Sequence, residues 1–415
     1  MSVFFLWAQF AQISDITPRQ AIQEAKRFWI EEGGRTWGRS LSGPLLIVEP
    51  KTRRVWASEA DGDGFLKKQG GIYTGVYPES EVVANTVVRW GGKTWIMLLL
   101  PLPSDEKERR ILLIHESWHR IQGDLNLNVP DGFNAHLDTL DGRYWLQLEW
   151  RALAKALETA VDGKERQSWI AAAIACRRYR QNLFPQAANE EKCLELGEGL
   201  AEYTGIRATR AKEFVIKDLK KASYPFARSF AYTSGPAYGL LLDDKLPGWT
   251  MGVDQDTDIS ILLQEAYKIF TQGKVDADAA ATRLGGAELR IREVALERKR
   301  NKHLIEIIEF YLDGPTLVIP QGFRIQFNPV NTEDIEDVGV YHATAIYLGD
   351  WGRLEASEGS LRSQDWSEAR VVAPADTNAR PLSGPGWILY LAPGWTIMPF
   401  GSSGSFKIVM ETKKR

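Results

Sequence analysis

The stretch that most constrains this chain is Ile-Leu-Leu-Ile-His-Glu-Ser-Trp-His-Arg, at residues 111–120. Residues four apart lie on one face of a helix, so the imidazoles of His115 and His119 can reach a single metal ion, with Glu116 beside them. The chain contains only 5 histidines, and finding two of them in this spacing predicts a metal-binding helix. The alternative, two hydrogen-bonded core histidines, would leave the Glu116 carboxylate buried without a partner.

The segments around this helix predict an α+β fold. Apolar residues recur at every second position in 41–103, which indicates a mostly antiparallel sheet. The metal-binding helix is expected over 104–123, and helical periodicity continues through 144–312. Short β segments between turn-forming residues over 313–415 are typical of a small sandwich or barrel. The sequence therefore predicts one domain over 1–312 and an all-β C-terminal domain over the remainder.

The individual elements follow from the same periodicities. The predicted strands of the sheet are 45–48, 54–58, 71–77, 85–90 and 93–100. The predicted helices after the metal helix are 144–159, 164–182, 187–210, 259–270 and 288–311. Gly91-Gly92 is expected to form the hairpin turn between the last two strands.

A catalytic zinc site needs a third protein ligand and an open position for water. The candidate stretch is Leu-Gly-Glu-Gly-Leu-Ala-Glu-Tyr at 196–203. Glu198 and Glu202 lie four apart on one helix face, so one can bind the metal while the other accepts the outer ring N–H of a metal-binding histidine. Glu195 remains an alternative ligand, and an exposed helix face remains an alternative for Glu198.

Taken together, the H-E-x-x-H and E-G-L-A-E-Y stretches resemble the gluzincin metallopeptidases, the group that contains thermolysin and the alanyl aminopeptidases. The resemblance implies a zincin-like peptidase domain that holds one Zn²⁺ per chain. It implies His115, His119 and Glu198 as the zinc ligands. It also implies Glu116 as the general base and Glu202 as the acid that supports a zinc histidine.

A second similarity concerns the stretch Tyr-Thr-Ser-Gly-Pro-Ala-Tyr-Gly-Leu at 232–240. It is similar to the Y-x-x-G-x-x-x-x-L stretch in which the aminopeptidases keep a tyrosine that stabilises the transition state. The similarity implies that Tyr232 donates a hydrogen bond to the oxyanion. Tyr224 and Tyr238 are alternatives, and so is a packing role for Tyr232.

Two departures from the family pattern shape the expected activity. The interval between His119 and Glu198 is longer than in the aminopeptidases, which predicts two additional helices between them. The G-x-M-E-N segment that holds a substrate's free amine is absent, so an endopeptidase or a specialised peptidase acting on a peptide or protein is expected. By analogy with the family, strand 93–100 is expected to pair with the substrate backbone.

Two other functions are compatible with these sequence motifs. One is a catalytically inactive binding protein of the same fold, although such a protein has no need of a base at Glu116. Another is a zinc hydrolase with a non-peptide substrate.

His136, in the long interval, is expected either to line the pocket or to anchor its loop. Glu149 and Arg151 are expected to form a structural ion pair.

Composition excludes several classes of partner. A net charge of −3 with intermixed acidic and basic residues gives no footprint for nucleic acid. The longest apolar run, 95–102, is too short to span a membrane. Residues 2–12 are apolar and are interpreted as a truncated secretory signal, a lipid-facing segment or a first element packed on the core. Cys176 and Cys193 could form a disulfide or could be two buried thiols. The apolar segment and the possible disulfide together favour an extracytoplasmic location.

Overall fold

The computed structural model describes residues 16–411 except 80, 82, 131, 162, 223, 224, 328–330, 336, 402 and 403. The apolar segment 2–12 and the alternative tyrosine Tyr224 lie outside the described residues. The fold is α+β, as predicted. The chain divides into two compact units after Glu293, whereas the sequence places a domain boundary after residue 312.

The first unit contains a six-stranded sheet with the order β3-β4-β2-β1-β6-β5. The strands are β1 (Leu45–Val48), β2 (Arg54–Ala57), β3 (Lys67–Gln69), β4 (Ile72–Val76), β5 (Thr86–Trp90) and β6 (Lys93–Leu99). All neighbouring strands are antiparallel except β1 and β6, where Leu45 pairs with Ile96 in a parallel ladder. Both faces of β1 are buried, since Leu45 and Ile47 pack toward the helices while Leu46 and Val48 belong to a core on the other face.

The topology corrects the expectation for strand 93–100. β6 is hydrogen-bonded to β1 on one side and to β5 on the other, so its backbone groups are already paired and cannot bind a substrate strand. β5 is the edge strand beside it. The sequence pattern identified both strands, but strand order depends on the crossover between β1 and β6, which hydrophobic periodicity does not encode.

Helices form the remainder of the first unit. They are α1 (Pro18–Glu32), α2 (Glu106–Gln122), α3 (Leu140–Glu158), α4 (Lys164–Leu183), α5 (Ala187–Leu194), α6 (Leu200–Thr209), α7 (Lys212–Lys221), α8 (Phe230–Lys245), α9 (Ile259–Ala266), α10 (Lys274–Arg283) and α11 (Gly286–Ile308), which runs past the division. A π-helix, Glu195–Gly199, joins α5 to α6. α3 and α4 are the two additional helices that the long interval predicts. No helix among the described residues is long and apolar enough to cross a bilayer.

The metal-binding helix predicted from the sequence is α2. The Asp105 side chain caps it by accepting a hydrogen bond from the Glu108 N–H, which satisfies an otherwise unpaired donor at the helix start. Apolar residues on every side of the helix are buried, among them Ile111, Ile114 and Trp118. The histidines are therefore held on a rigid element with packing all around it.

The second unit begins with the last part of α11 and a π-helix, Glu309–Asp313, and its strands form two open sheets that share a core. The strands are β7 (Thr316–Pro320), β8 (Arg324–Phe327), β9 (Thr332–Ile335), β10 (Gly339–His342), β11 (Ala345–Gly349), β12 (Gly352–Ala356), β13 (Ser360–Ser363), β14 (Glu368–Val372), β15 (Leu382–Gly384), β16 (Trp387–Leu391), β17 (Trp395–Phe400) and β18 (Ser405–Met410). One sheet has the order β17-β18-β7-β14-β13-β10-β9 and the other β15-β16-β12-β11-β8. Leu317 and Val371 from the first sheet join Leu354 and Leu389 from the second in one buried cluster.

Candidate metal centre

Three side chains from distant parts of the sequence meet beside α2. The Nε2 atoms of His115 and His119 are 3.1 Å apart. The Oε2 atom of Glu198 lies 3.3 Å from Nε2 of His115 and 3.5 Å from Nε2 of His119. We call these three residues the His–Glu cluster. The structure thus brings together the residues that the spacing and the family resemblance nominate as ligands.

The distances within the His–Glu cluster fit a zinc ion. Zinc bonds of about 2.0–2.1 Å at tetrahedral angles separate the ligand atoms by about 3.3 Å. The observed separations of 3.1, 3.3 and 3.5 Å lie around this value, so the three atoms form one face of a tetrahedron. No fourth His, Cys, Asp or Glu of the described residues joins the group, so the described residues offer three protein ligands to a metal ion here.

Each histidine also has a partner for its outer ring nitrogen. Nδ1 of His115 lies 2.9 Å from Glu202 Oε2, and Nδ1 of His119 lies 3.0 Å from Gln122 Oε1. An Nδ1–H bond to such an oxygen fixes the tautomer and leaves Nε2 free to bind a metal. Glu202 is the supporting acid that the resemblance implies. Gln122 was missed, although its position one helical turn after His119 on the same face could have indicated it.

The electrostatics of the cluster favour positive charge at the imidazoles. Burial acts to lower the pKa of His115, but hydrogen bonds to Glu198 and Glu202 outweigh it and raise the pKa to about 10. Burial also opposes the raised pKa of His119, which results from the neighbouring Glu198 carboxylate. For Glu198 itself, burial is outweighed by His119 and His115, which hold its pKa far below the usual range. Bound protons or a divalent cation can supply the positive charge that these carboxylates stabilise.

Glu116 lies beside the His–Glu cluster without joining it. It is only 4% exposed, and it stands outside the three-atom group. Burial raises its pKa, while the charges of His115 and His119 act in the opposite direction. A buried carboxylate with a raised pKa can accept a proton from a neighbouring water and return it, which is the role that the resemblance implies.

Tyr232 of α8 also reaches the cluster. Its hydroxyl donates a hydrogen bond to Oε2 of Glu198 at 2.7 Å, and its ring stacks on that of His115 with centroids 5.5 Å apart. Tyr238, the alternative on the same helix, donates instead to Glu149 at 2.8 Å. Of the two candidate tyrosines within the described residues, Tyr232 is therefore the one that reaches the His–Glu cluster.

Close packing of glycines sets the distance between α8 and the π-helix that carries Glu198. A Cβ atom at Gly235 would lie 2.4 Å from the Cα of Gly199, so the two backbones touch directly at this crossing. Gly199 follows Glu198, and Gly235 is one turn after Tyr232. A side chain does not fit at Gly235, and at Gly199 a Cβ atom would lie only 3.1 Å from the Cα of Gly235, so the glycines of the E-G-L-A and Y-x-x-G stretches allow the Tyr232 hydroxyl to reach Glu198.

Glu198 lies in a widened helical turn. The sequence predicts one continuous helix over 187–210, whereas the structure has a π-helix at Glu195–Gly199 in which the Leu200 N–H bonds to the Glu195 carbonyl. Such turns occur frequently at functional sites because the extra residue redirects the neighbouring side chains. Periodicity over a few residues does not distinguish this turn from an ordinary α-helix.

A second buried polar cluster lies next to the π-helix. We call it the Arg–Glu network, and it consists of Glu149, Arg177, Arg180, Glu191 and Glu195. Each of these side chains is at most 1% exposed. Arg180 binds Glu149 at 2.6 Å and Glu191 at 2.7 and 2.9 Å, while Arg177 binds both carboxylate oxygens of Glu195 at 2.8 and 2.6 Å. The network ties α3, α4 and α5 to the π-helix.

Three residues for which the sequence predicts other roles, namely His136, Glu149 and Glu195, contact or belong to the Arg–Glu network. Nε2 of His136 lies 2.8 Å from Glu191 Oε1, so His136 anchors its loop to the network, one of the two roles expected for it. The expected ion pair between Glu149 and Arg151 is wrong, because Arg151 instead donates to the Leu284 carbonyl. Glu195, the alternative ligand, is held by Arg177.

Cys176 and Cys193 are free buried thiols, so they form no disulfide.

Comparisons of the chain with protein-family models, with curated proteins and with solved structures give no match.

Proposed function

We propose that this chain is a zinc-dependent metallopeptidase of gluzincin type, with a zincin-like fold in its first unit. The observation that carries the proposal is the tetrahedral face formed by His115, His119 and Glu198, with separations of 3.1 to 3.5 Å. Glu116 next to this face adds the base that a hydrolase requires. A purely structural zinc site would have four protein ligands, whereas this group has three among the described residues.

A bound zinc ion would polarise the substrate carbonyl and make a water molecule acidic near neutral pH. The side chains of the chain perform the remaining steps. Glu116 accepts the proton of the attacking water and transfers it to the leaving amine. Tyr232 turns its hydroxyl from Glu198 toward the oxyanion that forms as the carbonyl is attacked. Glu202 and Gln122 keep the two imidazoles in the tautomer that binds metal.

The proposed substrate is an extended peptide. β5 is one of the two edge strands of the sheet, with β3 at the other edge, and α2, which carries the histidines, packs against both β5 and β6. A peptide can therefore add to β5 through main-chain hydrogen bonds while its carbonyl faces the His–Glu cluster. Because the segment that holds a free amine in the aminopeptidases is absent, we propose cleavage within a chain or a specialised peptidase activity.

Metal analysis of the purified protein tests the site. We expect about one zinc ion per chain in the wild type and none in His119→Ala. His303→Ala is the matched control, because His303 is exposed and lies on α11; this variant should keep its zinc. A wild-type protein that binds no zinc after reconstitution would exclude the metalloenzyme.

Peptide cleavage by Glu116→Gln tests the base. The variant should retain zinc but cleave a peptide library about 10²–10⁴ times more slowly, since only proton transfer is lost. Equal cleavage by both proteins would show that another base or a contaminant is responsible. Bound zinc with no turnover of any peptide by the wild type would favour the two other candidates, a catalytically inactive binding protein or a zinc hydrolase with a non-peptide substrate.

A further inference from the structure

We infer that Arg177 is a positioning residue for the zinc ligand Glu198 and acts through Glu195 and the π-helix. The inference rests on the proposed function, because it assigns Arg177 a role in the affinity of the His–Glu cluster for zinc. It also gives the additional helix α4 a role, since α4 carries Arg177 and lies in the interval that distinguishes this chain from the aminopeptidases.

The contact between Arg177 and Glu195 is rigid. Nη1 and Nη2 of Arg177 bind Oε1 and Oε2 of Glu195 at 2.8 and 2.6 Å, which is the bidentate geometry of a guanidinium with a carboxylate. Arg177 is completely buried, and Glu195 is 1% exposed. The Arg177 guanidinium also lies over the ring of Tyr238, with 5.2 Å between the guanidinium carbon and the ring centroid.

Glu195 transmits this constraint to Glu198 through the backbone. Its side chain is fixed by Arg177, and its carbonyl accepts the Leu200 N–H that closes the π-turn. Glu198 lies inside that closed turn, three residues after Glu195. A shift of Glu195 would therefore rotate the turn and move the Glu198 carboxylate away from the histidines, which lie at 3.3 and 3.5 Å from it.

The energetics of buried ion pairs support a geometric role. Removing two charges from water costs about as much as their attraction returns, so a buried pair contributes little net stability compared with apolar residues of the same volume. A bidentate pair nonetheless fixes distance and direction, which apolar packing does not. Metal sites need such fixed ligands, and losing an outer partner of a ligand typically lowers metal affinity about 10–100-fold.

The test compares zinc affinity in Arg177→Lys and Arg166→Lys. Arg166 is the matched control because it lies on the same helix, is also completely buried and pairs with Asp244. Lysine keeps the charge in both variants but cannot make the bidentate contact. We expect zinc dissociation constants, measured by chelator competition, to rise roughly tenfold or more in Arg177→Lys and to stay within about threefold of wild type in Arg166→Lys.

A second variant covers the case in which Arg177→Lys does not fold. Arg177→Met combined with Glu195→Leu removes both charges of the bidentate pair. Glu149 and Glu191, which Arg177 also contacts, keep their hydrogen bonds to Arg180, so this variant should fold; it should still bind zinc roughly tenfold more weakly than wild type. Faster amide hydrogen exchange over 195–202 should accompany the weaker binding in each Arg177 variant. Wild-type zinc affinity in the double variant or in a folded Arg177→Lys would overturn the positioning role while leaving the zinc site intact. A wild type without zinc would overturn both proposals.

Discussion

Glu195 and Glu198 lie three residues apart in one π-helix, yet they belong to two buried clusters of different chemistry. Glu195 is paired with Arg177, whose guanidinium keeps its proton at any accessible pH and fills the space with fixed donors. Glu198 faces His115 and His119, and an imidazole can lose its proton and bind a metal through the same nitrogen. The cation opposite each carboxylate therefore decides whether the cluster is closed or can accept a metal ion.

The tyrosines of α8 repeat this contrast. Tyr232 donates to Glu198 in the His–Glu cluster and Tyr238 donates to Glu149 in the Arg–Glu network, at 2.7 and 2.8 Å. In the network, Arg180 and Arg177 outweigh burial and hold the pKa of Glu191 well below its usual range, whereas at Glu195 burial outweighs Arg177 and raises the pKa to about 7. Each arginine of the network nonetheless binds two carboxylates. We therefore expect the network to govern stability and the His–Glu cluster to govern zinc binding and turnover.

The largest expected effect on stability is that of Arg180→Met. It leaves Glu149 and Glu191 buried without their principal cation, which should lower the free energy of unfolding by about 3–5 kcal/mol. Urea unfolding with and without zinc measures this change, which should be the same in both conditions. Arg290→Met removes a half-exposed pair with Asp141 and should cost at most about 1 kcal/mol. Equal losses in the two variants would contradict the structural role of the network.

The next effect concerns turnover. Tyr232→Phe should lower kcat about 10²–10³-fold, because it removes a donor to the oxyanion, while zinc remains bound. The matched control is Tyr238→Phe, which removes a buried hydroxyl from the same helix and should lower stability without changing kcat. Steady-state kinetics and zinc content of both variants measure the two effects. If zinc loss accounted for the entire fall in activity of Tyr232→Phe, the tyrosine would only support Glu198.

The residues that could be predicted from the sequence are those whose geometry lies within one helix. His115 and His119 are four apart, and so are Glu198 and Glu202, so their faces follow from helical geometry alone. The Arg–Glu network could not be predicted in this way, because its pairs join different helices. Glu149 and Arg151 illustrate the error: residues two apart do not face each other on a helix.

The fold shows the same limit. Period-two patterns located all five predicted strands of the first sheet, but they gave no information on which strand lies at the edge, because the parallel pairing of β1 with β6 joins residues distant in the sequence. The helix that carries Glu198 was also predicted, while its π-turn was not. The positions of the candidate ligands in the sequence could therefore be predicted, whereas the contacts that hold them depend on tertiary structure.

The smallest of these effects is the pH dependence that arises at His115 of the His–Glu cluster. In metal-free protein, the pKa of His115 is raised from 6.5 to about 10, so the folded state holds a proton that the unfolded state loses above pH 6.5. The contribution of this proton to the free energy of unfolding should therefore be fully present below that pH. It should fall by roughly 2–3 kcal/mol by about pH 8.5. With saturating zinc, Nε2 of His115 would bind metal without a proton, so the contribution of His115 to this decrease should disappear. Urea unfolding at both pH values, with chelator and with zinc, measures this difference, and identical pH dependences would contradict competition between proton and metal.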